Sequence, residues 1–364
     1  MQTAIPALFM RGGTSRGPFF READLPAGIA LRDRVLLSVM GSPDPRQIDG
    51  LGGAHPLTSK VGIVRPGTKP GVALDFLFAQ LQPDKDTVDT TPNCGNMLAA
   101  VVPFALETGL VQAQGDATTL RVLTRNTDMQ CDITVQTRGG HVAYEGDARI
   151  DGVPGTAAPI TINFLDTAGS VCAGLLPTGR VRDRLDGIEV TCIDNGMPLV
   201  LLRAADVGRT GYETVAQLNA DAALKERLER LRLACGHAMG LGDVGPKNYP
   251  KMTLVATPRA GGSIATRSFI PHVCHDAIGV LAAVTVGTAC VLQGSVAAEV
   301  ARVPAGHAKT ISVEHPTGEF SVELAVDPAN PQNVLRAALL RTARLIMRGE
   351  VMVPASVWDG RRES

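Results

Sequence analysis

Two apolar runs in the chain lack the polar stripe that marks a surface helix. The first spans residues 97–111 and the second residues 278–296, and both contain a glycine near their end. A helix that is apolar on every side is normally enclosed by protein. The most apolar run in the chain, residues 277–292, overlaps the second of these and is shorter than the roughly 20 residues that cross a membrane. The sequence therefore predicts two helices buried inside the protein and no membrane span.

Alternating apolar and polar residues predict strands around both runs. Hairpin patterns begin at Thr119 and Thr310, after the respective runs, and strand-like segments at 71–80, 188–202 and 252–256 precede them. The order of strands, buried helix and hairpin is thus used twice. This repeat predicts an α+β fold of two similar units, each with a strongly curved sheet around one apolar helix.

Two further segments have the spacing of amphipathic helices. Residues 224–239 predict a helix on an outer surface, and residues 334–348 predict a final helix that returns to pack on the first half. The resulting domain limits are residues 1–155 with 335–364 for the first domain, and 156–334 for the second.

Length, charge and cysteine content narrow the class of protein. The 364 residues suffice for two domains with separate cores. A net charge of −1, with Lys and Arg scattered along the chain, argues against nucleic-acid binding. Seven cysteines without a CxxC pair, and no secretory segment before them, indicate reduced thiols and a cytoplasmic location.

Candidate chemistry is concentrated in four loop segments that mix polar side chains with glycines. These segments are residues 11–15, 50–60, 93–96 and 266–276. Each alone fits ordinary turn chemistry. Together they would let backbone amides approach a ligand closely, while their arginine and hydroxyl side chains offer donors to carboxylates.

Cys94 lies where a loop turns into the first apolar helix. If Asn93 caps that helix, Cys94, Gly95 and Asn96 occupy its first turn, where unpaired amides bind anions and favour a thiolate. The alternative is that Cys94 is a small buried apolar residue. Lys60, at the end of a glycine-rich loop, is either a solvated surface lysine or a desolvated amine that can act as a base.

Neither a metal nor an organic cofactor is expected. The segment H-V-C-H at residues 272–275 matches no standard structural zinc spacing and has no second ligand pair. No loop has a GxGxxG fingerprint or a Walker lysine.

Seven blocks of sequence together resemble the PrpF family of cofactor-independent isomerases of unsaturated polycarboxylates. The blocks are F-M-R-G-G-T-S-R-G, G-S-P-D-P-R-Q-I-D-G-L-G-G-A, L-T-S-K-V, N-C-G-N, C-I-D-N-G-M-P, R-S-F-I-P-H-V-C-H and E-H-P-T-G-E-F. The similarity covers nearly the whole chain. Within the family it is greatest to proteins acting on 4-oxalomesaconate in bacterial gallate and protocatechuate breakdown.

The resemblance implies a diaminopimelate-epimerase-like fold with two pseudo-symmetric β-barrel domains, each around a central helix, and a site in the cleft between them. It implies that Lys60 and Cys94 transfer the proton. His275 takes the place of a second cysteine found at the other helix start in the wider fold, so racemisation is not expected. His275 is then an acid/base or a carboxylate donor. Arg16 stands where family members often have lysine.

The implied reaction is a 1,3-proton shift in 4-oxalomesaconate, with 2-methylaconitate or methylitaconate as alternative substrates and a non-catalytic carboxylate-binding protein as a further alternative. The implied partner is a small polycarboxylate. Proteins of this fold often form a homodimer, although no exposed apolar stripe marks an interface. The predicted substrate contacts are Arg11, Gly13, Thr14, Ser15, Ser59, Gly95, Asn96, Asn195, Met197, Arg267, Ile278 and Gly279.

Overall fold

The computed structural model describes residues 1–165, 167–329 and 334–361, and the chain divides into two compact units. Unit 1 comprises Met1–Leu165 and Leu340–Ser364, and unit 2 comprises Asp166–Leu339. Both units combine many strands with few helices, so the predicted α+β, diaminopimelate-epimerase-like fold class is confirmed. The domain limits given above stay a prediction.

The elements are as follows in chain order. In the first half the strands are β1 (Gln2–Gly12), β2 (Ser15–Arg21), β3 (Lys60–Pro66), β4 (Leu74–Leu81), β5 (Val88–Asp89), β6 (Ala117–Thr124), β7 (Met129–Arg138), β8 (His141–Val142) and β9 (Ile160–Phe164). Its helices are α1 (Ile29–Met40), α2 (Gly95–Leu98) and α3 (Val101–Glu107). The second half contains β10 (Asp183–Leu185), β11 (Ile188–Asp194), β12 (Pro198–Arg203), β13 (Lys251–Ala256), β14 (Ile264–Phe269), β15 (Ala308–His315), β16 (Gly318–Val326), β17 (Val334–Arg341) and β18 (Ala343–Pro354). Its helices are α4 (Val215–Ala220), α5 (Ala222–Ala238) and α6 (Val280–Val291).

The two units use the same order of strand pairs. In unit 1, β1–β2 is antiparallel, β2–β3 parallel, β3–β4 antiparallel, β4–β6 parallel and β6–β7 antiparallel. In unit 2, β11–β12, β12–β13, β13–β14, β14–β15 and β15–β16 repeat that series. The two predicted hairpins are β6–β7 and β15–β16, and both are confirmed.

Each sheet has an outer face covered by one helix and an inner face that surrounds another. On the outer face of unit 1, Val61 and Ile63 of β3 cluster with α1. Side chains alternate along a strand, so Lys60 and Gly62 face inward. In unit 2, Met252 and Leu254 of β13 cluster with α5, which confirms the predicted outer amphipathic helix.

The inner helix of unit 2 is continuous, whereas that of unit 1 is divided. α6 has 12 residues and most of its side chains are buried, as predicted. The predicted single helix at 97–111 is instead α2 and α3, with Ala99 and Ala100 between them. Pro103 explains the break, because a proline has no N–H for an upstream carbonyl and fits only the first turn of a helix. No helix in the described ranges is both long and apolar enough to span a membrane.

The helix predicted at 334–348 is wrong, since the structure places β17 and β18 there. β18 pairs with β1 along its whole length, from Gln2 opposite Pro354 to Gly12 opposite Ala343. The spacing of apolar residues suits a helix, but pairing with a strand more than 300 residues away supplies the backbone hydrogen bonds. The segment does return to the first unit, as a strand.

Candidate active site

Lys60 is the first residue of β3 and its side chain is buried on the inner face of unit 1. Its Nζ donates to Gln80 Oε1 at 2.6 Å and lies 4.9 Å from the centre of the Phe78 ring. Among the described residues no carboxylate pairs with it. The predicted alternative of a solvated surface lysine is therefore wrong, because the side chain is 8% exposed.

Gln80 fixes the position of the Lys60 nitrogen. It stands directly opposite Lys60 in the β3–β4 register. Its Nε2 donates to the carbonyl oxygens of Pro56, Ser59 and Leu81, which leaves Oε1 turned toward Lys60. An amide oxygen accepts a hydrogen bond from an ammonium or from a neutral amine. The contact therefore holds the nitrogen in place in both protonation states.

Gln80 and Phe78 were not among the predicted site residues. Alternation along the strand-like segment at 71–80 places the two side chains on one face. Only the register between β3 and β4 brings that face to Lys60. The sequence pattern therefore indicates that Phe78 and Gln80 share a face, but it does not indicate that this face contacts Lys60.

Cys94 is itself the N-cap residue of α2, with extended backbone angles. The prediction that Asn93 caps this helix is wrong: the side-chain amide of Asn93 donates to Thr127 Oγ1 instead. Cys94 is half-buried, unlike Cys131, Cys192, Cys235, Cys274 and Cys290, which are all buried.

One other half-buried thiol occurs in the chain, at Cys172. Burial and the neighbouring Asp194 raise the pKa of Cys172 to about 12. That thiol would be a poor source of thiolate at neutral pH. Cys94 is therefore the cysteine whose exposure and place at a helix start best suit proton transfer.

The β1–β2 turn is packed against the start of α2. Asn96 Nδ2 donates to Thr14 Oγ1 at 2.9 Å and to Ser15 Oγ at 3.4 Å. Gly13 has a φ of +52°, and a Cβ there would stand 2.2 Å from Asn96 Oδ1. No other residue type fits so close to the helix start. The structure thus brings together the predicted contacts Gly13, Thr14, Ser15, Gly95 and Asn96.

Lys60 lies at the same end of the unit 1 sheet. β2 continues from Ser15 to Gly17, where a Cβ would stand 1.7 Å from the carbonyl oxygen of Lys60. α2 also contacts β1, β2 and β3. The backbone segments at Cys94–Asn96, at the β1–β2 turn and at Lys60 therefore pack against one another.

Arg11 and Ser59 are used within the protein. Arg11 Nη1 donates to Gly13 O at 2.8 Å and to the carbonyl and hydroxyl oxygens of Thr342 at 3.1 and 3.0 Å. Burial, with Arg344 nearby, lowers the pKa of Arg11. Ser59 is fully buried and donates to Gln47 Oε1 at 2.7 Å. Both residues support the loops of the site, and their predicted substrate contacts stay predictions.

Asn195 ties the turn between β11 and β12 to the inner helix of unit 2. Its Nδ2 donates to Thr288 Oγ1 at 2.8 Å, and its Oδ1 accepts from Thr167 at 2.6 Å. The carbonyls of Asn195 and Met197 both accept from Thr285 Oγ1. The side chain of Asn195 is buried, so this residue positions α6. The predicted contacts of Asn195 and Met197 with substrate stay predictions.

His275 does not lie at the helix start as predicted. The N-cap of α6 is Gly279, preceded by the buried Ile278, and His275 stands four residues before the cap. The His275 side chain is exposed, and its Nδ1 accepts from the Ala277 N–H at 3.0 Å. In the neutral ring Nε2 then carries the proton, which suits a donor to a carboxylate better than a base.

Arg267 lies on β14 opposite Leu254 of β13, whose side chain packs on α5. Its Nε donates to Glu213 O and its Nη1 to Thr266 O, both at 2.8 Å. Burial lowers the pKa of Arg267. Two of its donor nitrogens are thus occupied on the outer face, and its predicted role toward substrate stays a prediction.

Two cavities of about 480 and 640 Å³ are found in unit 1, at the far end of α3. Both are bordered by Glu107, Thr108 and Arg348. Neither is lined by Lys60 or Cys94. The described residues also contain no group of three or more His, Cys, Asp or Glu placed to hold a metal ion.

Comparison with known families matches residues 2–354 to the family described as PrpF protein. The chain belongs to the PrpF family. This PrpF-family chain is 58% identical over 350 residues to a (4E)-oxalomesaconate Delta-isomerase of Novosphingobium sp. (strain KA1), covering 96% of this chain and 98% of that relative. It is 54% identical over 360 residues to a 4-oxalomesaconate tautomerase of Pseudomonas putida, covering 99% of both.

A solved methylitaconate-delta-isomerase has the same fold as this PrpF-family protein. The two align with a TM-score of 0.86 and 36% identity over 98% of this chain and 97% of the other. The aligned residues therefore come from both units.

Proposed function

We propose that this protein is a cofactor-independent isomerase that catalyses a 1,3-proton shift in 4-oxalomesaconate, in the breakdown of gallate and protocatechuate. The observation that carries the proposal is the buried, amide-held Lys60 packed with the Cys94 helix start. The substrate choice is supported by the two relatives that act on oxalomesaconate and share more than half of their residues with this chain.

Lys60 is the base in this proposal. The proton to be removed lies between electron-withdrawing groups, so its loss leaves a dienolate whose charge spreads onto carboxylate and keto oxygens. Lys60 has no carboxylate partner among the described residues, and Gln80 holds its nitrogen whether or not it carries the proton. A neutral amine at a fixed point can take the proton and become an ammonium.

Cys94 returns a proton at the far end of the three-carbon system. Its thiol loses that proton as the new C–H bond forms and becomes a thiolate at the N-cap of α2, where the amides of the first turn favour negative charge. The cycle closes when the Lys60 ammonium gives its proton back to the thiolate. No oxidant, reductant or cofactor enters this balance.

The test is the change in ultraviolet absorbance of 4-oxalomesaconate on addition of purified protein. The conjugated system changes during the shift, so conversion above the buffer rate is expected. Conversion in deuterium oxide should also place deuterium on the substrate carbon. Absence of both signals would remove the proposed function and leave a carboxylate-binding protein without turnover.

The second candidate substrates are 2-methylaconitate and methylitaconate. The solved methylitaconate-delta-isomerase of the same fold supports them, at a lower identity than the oxalomesaconate relatives. They carry carboxylates but lack the keto group. Measuring kcat/KM for the three substrates side by side decides among them, and the largest value is expected for 4-oxalomesaconate.

Seven free cysteines support the predicted cytoplasmic location. The location and the homodimer both stay predictions.

A further inference from the structure

The loop between α1 and β3, residues 41–59, is folded around one buried side chain, that of Gln47. Gln47 is 2% exposed. Its Oε1 accepts from the Ala54 N–H at 2.9 Å and from Ser59 Oγ at 2.7 Å, and its Nε2 donates to Ser42 Oγ at 3.2 Å. Breaking any of these bonds would leave a buried polar group without a partner. Residues near the beginning, the middle and the end of the loop are therefore joined at Gln47.

Two glycines let this loop close tightly on the Gln47 amide. A Cβ on Gly52 would stand 2.1 Å from Gln47 Cδ, and a Cβ on Gly50 would stand 2.2 Å from the backbone nitrogen of Gly41. Gln47 itself has a φ of +49°, in the left-handed region. A backbone in that region persists only where the surrounding contacts fix it. The glycine-rich segment that fits ordinary turn chemistry thus encloses one specific side chain.

The same loop supplies two of the three oxygens that orient Gln80. Gln80 Nε2 donates to the carbonyls of Pro56 and Ser59, both at 3.1 Å, and the third acceptor is the Leu81 carbonyl. The Ser59 carbonyl also accepts from the Leu81 N–H at 3.0 Å. The position of the Gln80 amide therefore depends on the shape of the α1–β3 loop.

Three successive contacts link Gln47 to Lys60. The Gln47 amide holds Ser59, the Ser59 carbonyl orients the Gln80 amide, and Gln80 Oε1 accepts from Lys60 Nζ at 2.6 Å. A carbonyl selects which end of an amide faces it, since only the nitrogen of that amide can donate. Without the loop carbonyls, Gln80 would be free to turn its nitrogen toward Lys60. Two donors would then face each other, and the lysine nitrogen would lose its fixed place.

We infer that Gln47 is a positioning residue for the base: it holds the α1–β3 loop in the shape that makes Gln80 present its oxygen to Lys60. The inference rests on the proposed function, because it takes Lys60 as the group that removes the proton. All the contacts involved lie within unit 1. Displacement of a reacting atom by about 1 Å can lower a rate by up to about 10²-fold, so the loss of the Gln47 amide acts on kcat more than on KM.

The first test is Gln47→Asn, which keeps an amide and suits the left-handed backbone but is one methylene too short to reach Ala54 and Ser59. kcat should fall by about 10-fold with KM close to the wild-type value, because substrate still binds while the base is misplaced. The rising limb of the pH–rate profile should move to lower pH, since the Lys60 ammonium loses its acceptor.

Gly52→Ala is a second variant that disturbs the same amide and leaves Gln47 in the sequence. Its added Cβ needs the space that the end of the Gln47 side chain occupies, so the amide must move. The variant should show the same fall in kcat and the same shift of the pH–rate profile. A kcat within about two-fold of wild type in both variants overturns the inference.

Thr118→Val is the matched control for loss of stability. The Thr118 hydroxyl is fully buried in unit 1 and accepts from the Gln114 N–H at 2.8 Å. β4 and β6 are parallel with Leu74 opposite Val122, so Thr118 lies at the end of the sheet away from Gln80. The control should melt at a lower temperature and keep wild-type kcat. If Gln47→Asn behaves in the same way, its role is structural and the inference is overturned.

A double-mutant cycle shows whether Gln47 acts through Gln80. Gln80→Leu removes the acceptor of Lys60 and should lower kcat by about 10-fold. Adding Gln47→Asn to that variant should change kcat little further, because the contact through which Gln47 acts is already gone. Two losses that multiply in full overturn the inference.

A crystal structure of Gln47→Asn separates this inference from the proposed function. The separation of Gln80 Oε1 and Lys60 Nζ, 2.6 Å with Gln47 in place, should increase beyond hydrogen-bonding distance. This measurement needs no turnover, so it decides the positioning role even if 4-oxalomesaconate is not converted. A Gln80 amide that keeps its place and its contact with Lys60 overturns the inference.

Discussion

Lys60 and Lys251 begin equivalent strands of two units with one strand order, yet their surroundings differ. Lys60 is held by the Gln80 amide and lies over the Phe78 ring. Lys251 has no such acceptor and stands beside the start of α6. One position of the repeated strand order can therefore have two environments: unit 1 gives the lysine nitrogen an amide acceptor, and unit 2 gives it none among the described residues.

The inner helices of the two units also differ in continuity and in the residue at the cap. α2 and α3 are separated near Pro103, and the short α2 presents Cys94 at its cap. α6 is continuous and begins at a glycine that adds no functional side chain. A cysteine therefore stands at the helix cap of unit 1, and a glycine stands at that of unit 2.

The largest effect is expected from Lys60→Met, which removes the fixed nitrogen. A general base contributes about 10²- to 10⁴-fold, so kcat should fall by at least about 10². Folding should change little, as judged by thermal melting. Lys69→Met, at an exposed lysine of the same unit that pairs with Asp128, is the control. Retained turnover in Lys60→Met would mean that Lys60 is not the base.

Cys94→Ser should lower kcat by a similar factor of about 10² or more, because a serine hydroxyl is a far poorer acid than a thiol. KM should stay close to the wild-type value. Cys172→Ser, at the other half-buried cysteine, should keep wild-type kcat. Full activity of Cys94→Ser would restore the alternative that this thiol only packs.

Gln80→Glu gives Lys60 the carboxylate that it lacks among the described residues. A carboxylate stabilises the ammonium, so the neutral amine becomes available only at higher pH. At neutral pH kcat should fall by about 10-fold, and the rising limb of the pH–rate profile should move to higher pH. An unchanged profile would show that the Gln80 contact does not influence the base.

Lys251→Met should have the smallest effect, and it concerns stability. Burial lowers the pKa of Lys251, so its charge opposes folding fully below the folded pKa. The opposition disappears as pH rises past the unfolded value of about 10.4. At pH 7 the variant should therefore melt at a higher temperature than wild type, and the difference should vanish above that value. A lower melting temperature at pH 7 would indicate a structural role for the charge.

Local periodicity predicted several of the elements correctly. The continuous helix α6, the outer helix α5 and both hairpins follow from apolar spacing alone. The loop residues identified Lys60 and Cys94 as candidates, and the resemblance assigned proton transfer to them. The β18 segment failed because its spacing fits a helix, while its pairing with β1 depends on residues far away in the sequence.

The contacts around the candidate site depend on strand register, which the sequence pattern does not reveal. The Gln80 contact requires β3 and β4 to align at one residue, and a shift by one would turn the side chain outward. The same reasoning separates Lys251 from Arg267, which lie on opposite faces of adjacent strands. The cap at Cys94 was missed because Asn93 finds another partner, Thr127.

The pairing of β1 with β18 has a consequence for the order in which the protein acquires its structure. Unit 2 is continuous in sequence, so it can form as soon as its own residues are synthesised. Unit 1 needs β18, which follows β1 by more than 300 residues, to cover one edge of β1. Contacts between such distant segments close slowly. We expect the half that holds Lys60 and Cys94 to be completed only after β18 has been synthesised, which would keep a nascent chain inactive until then.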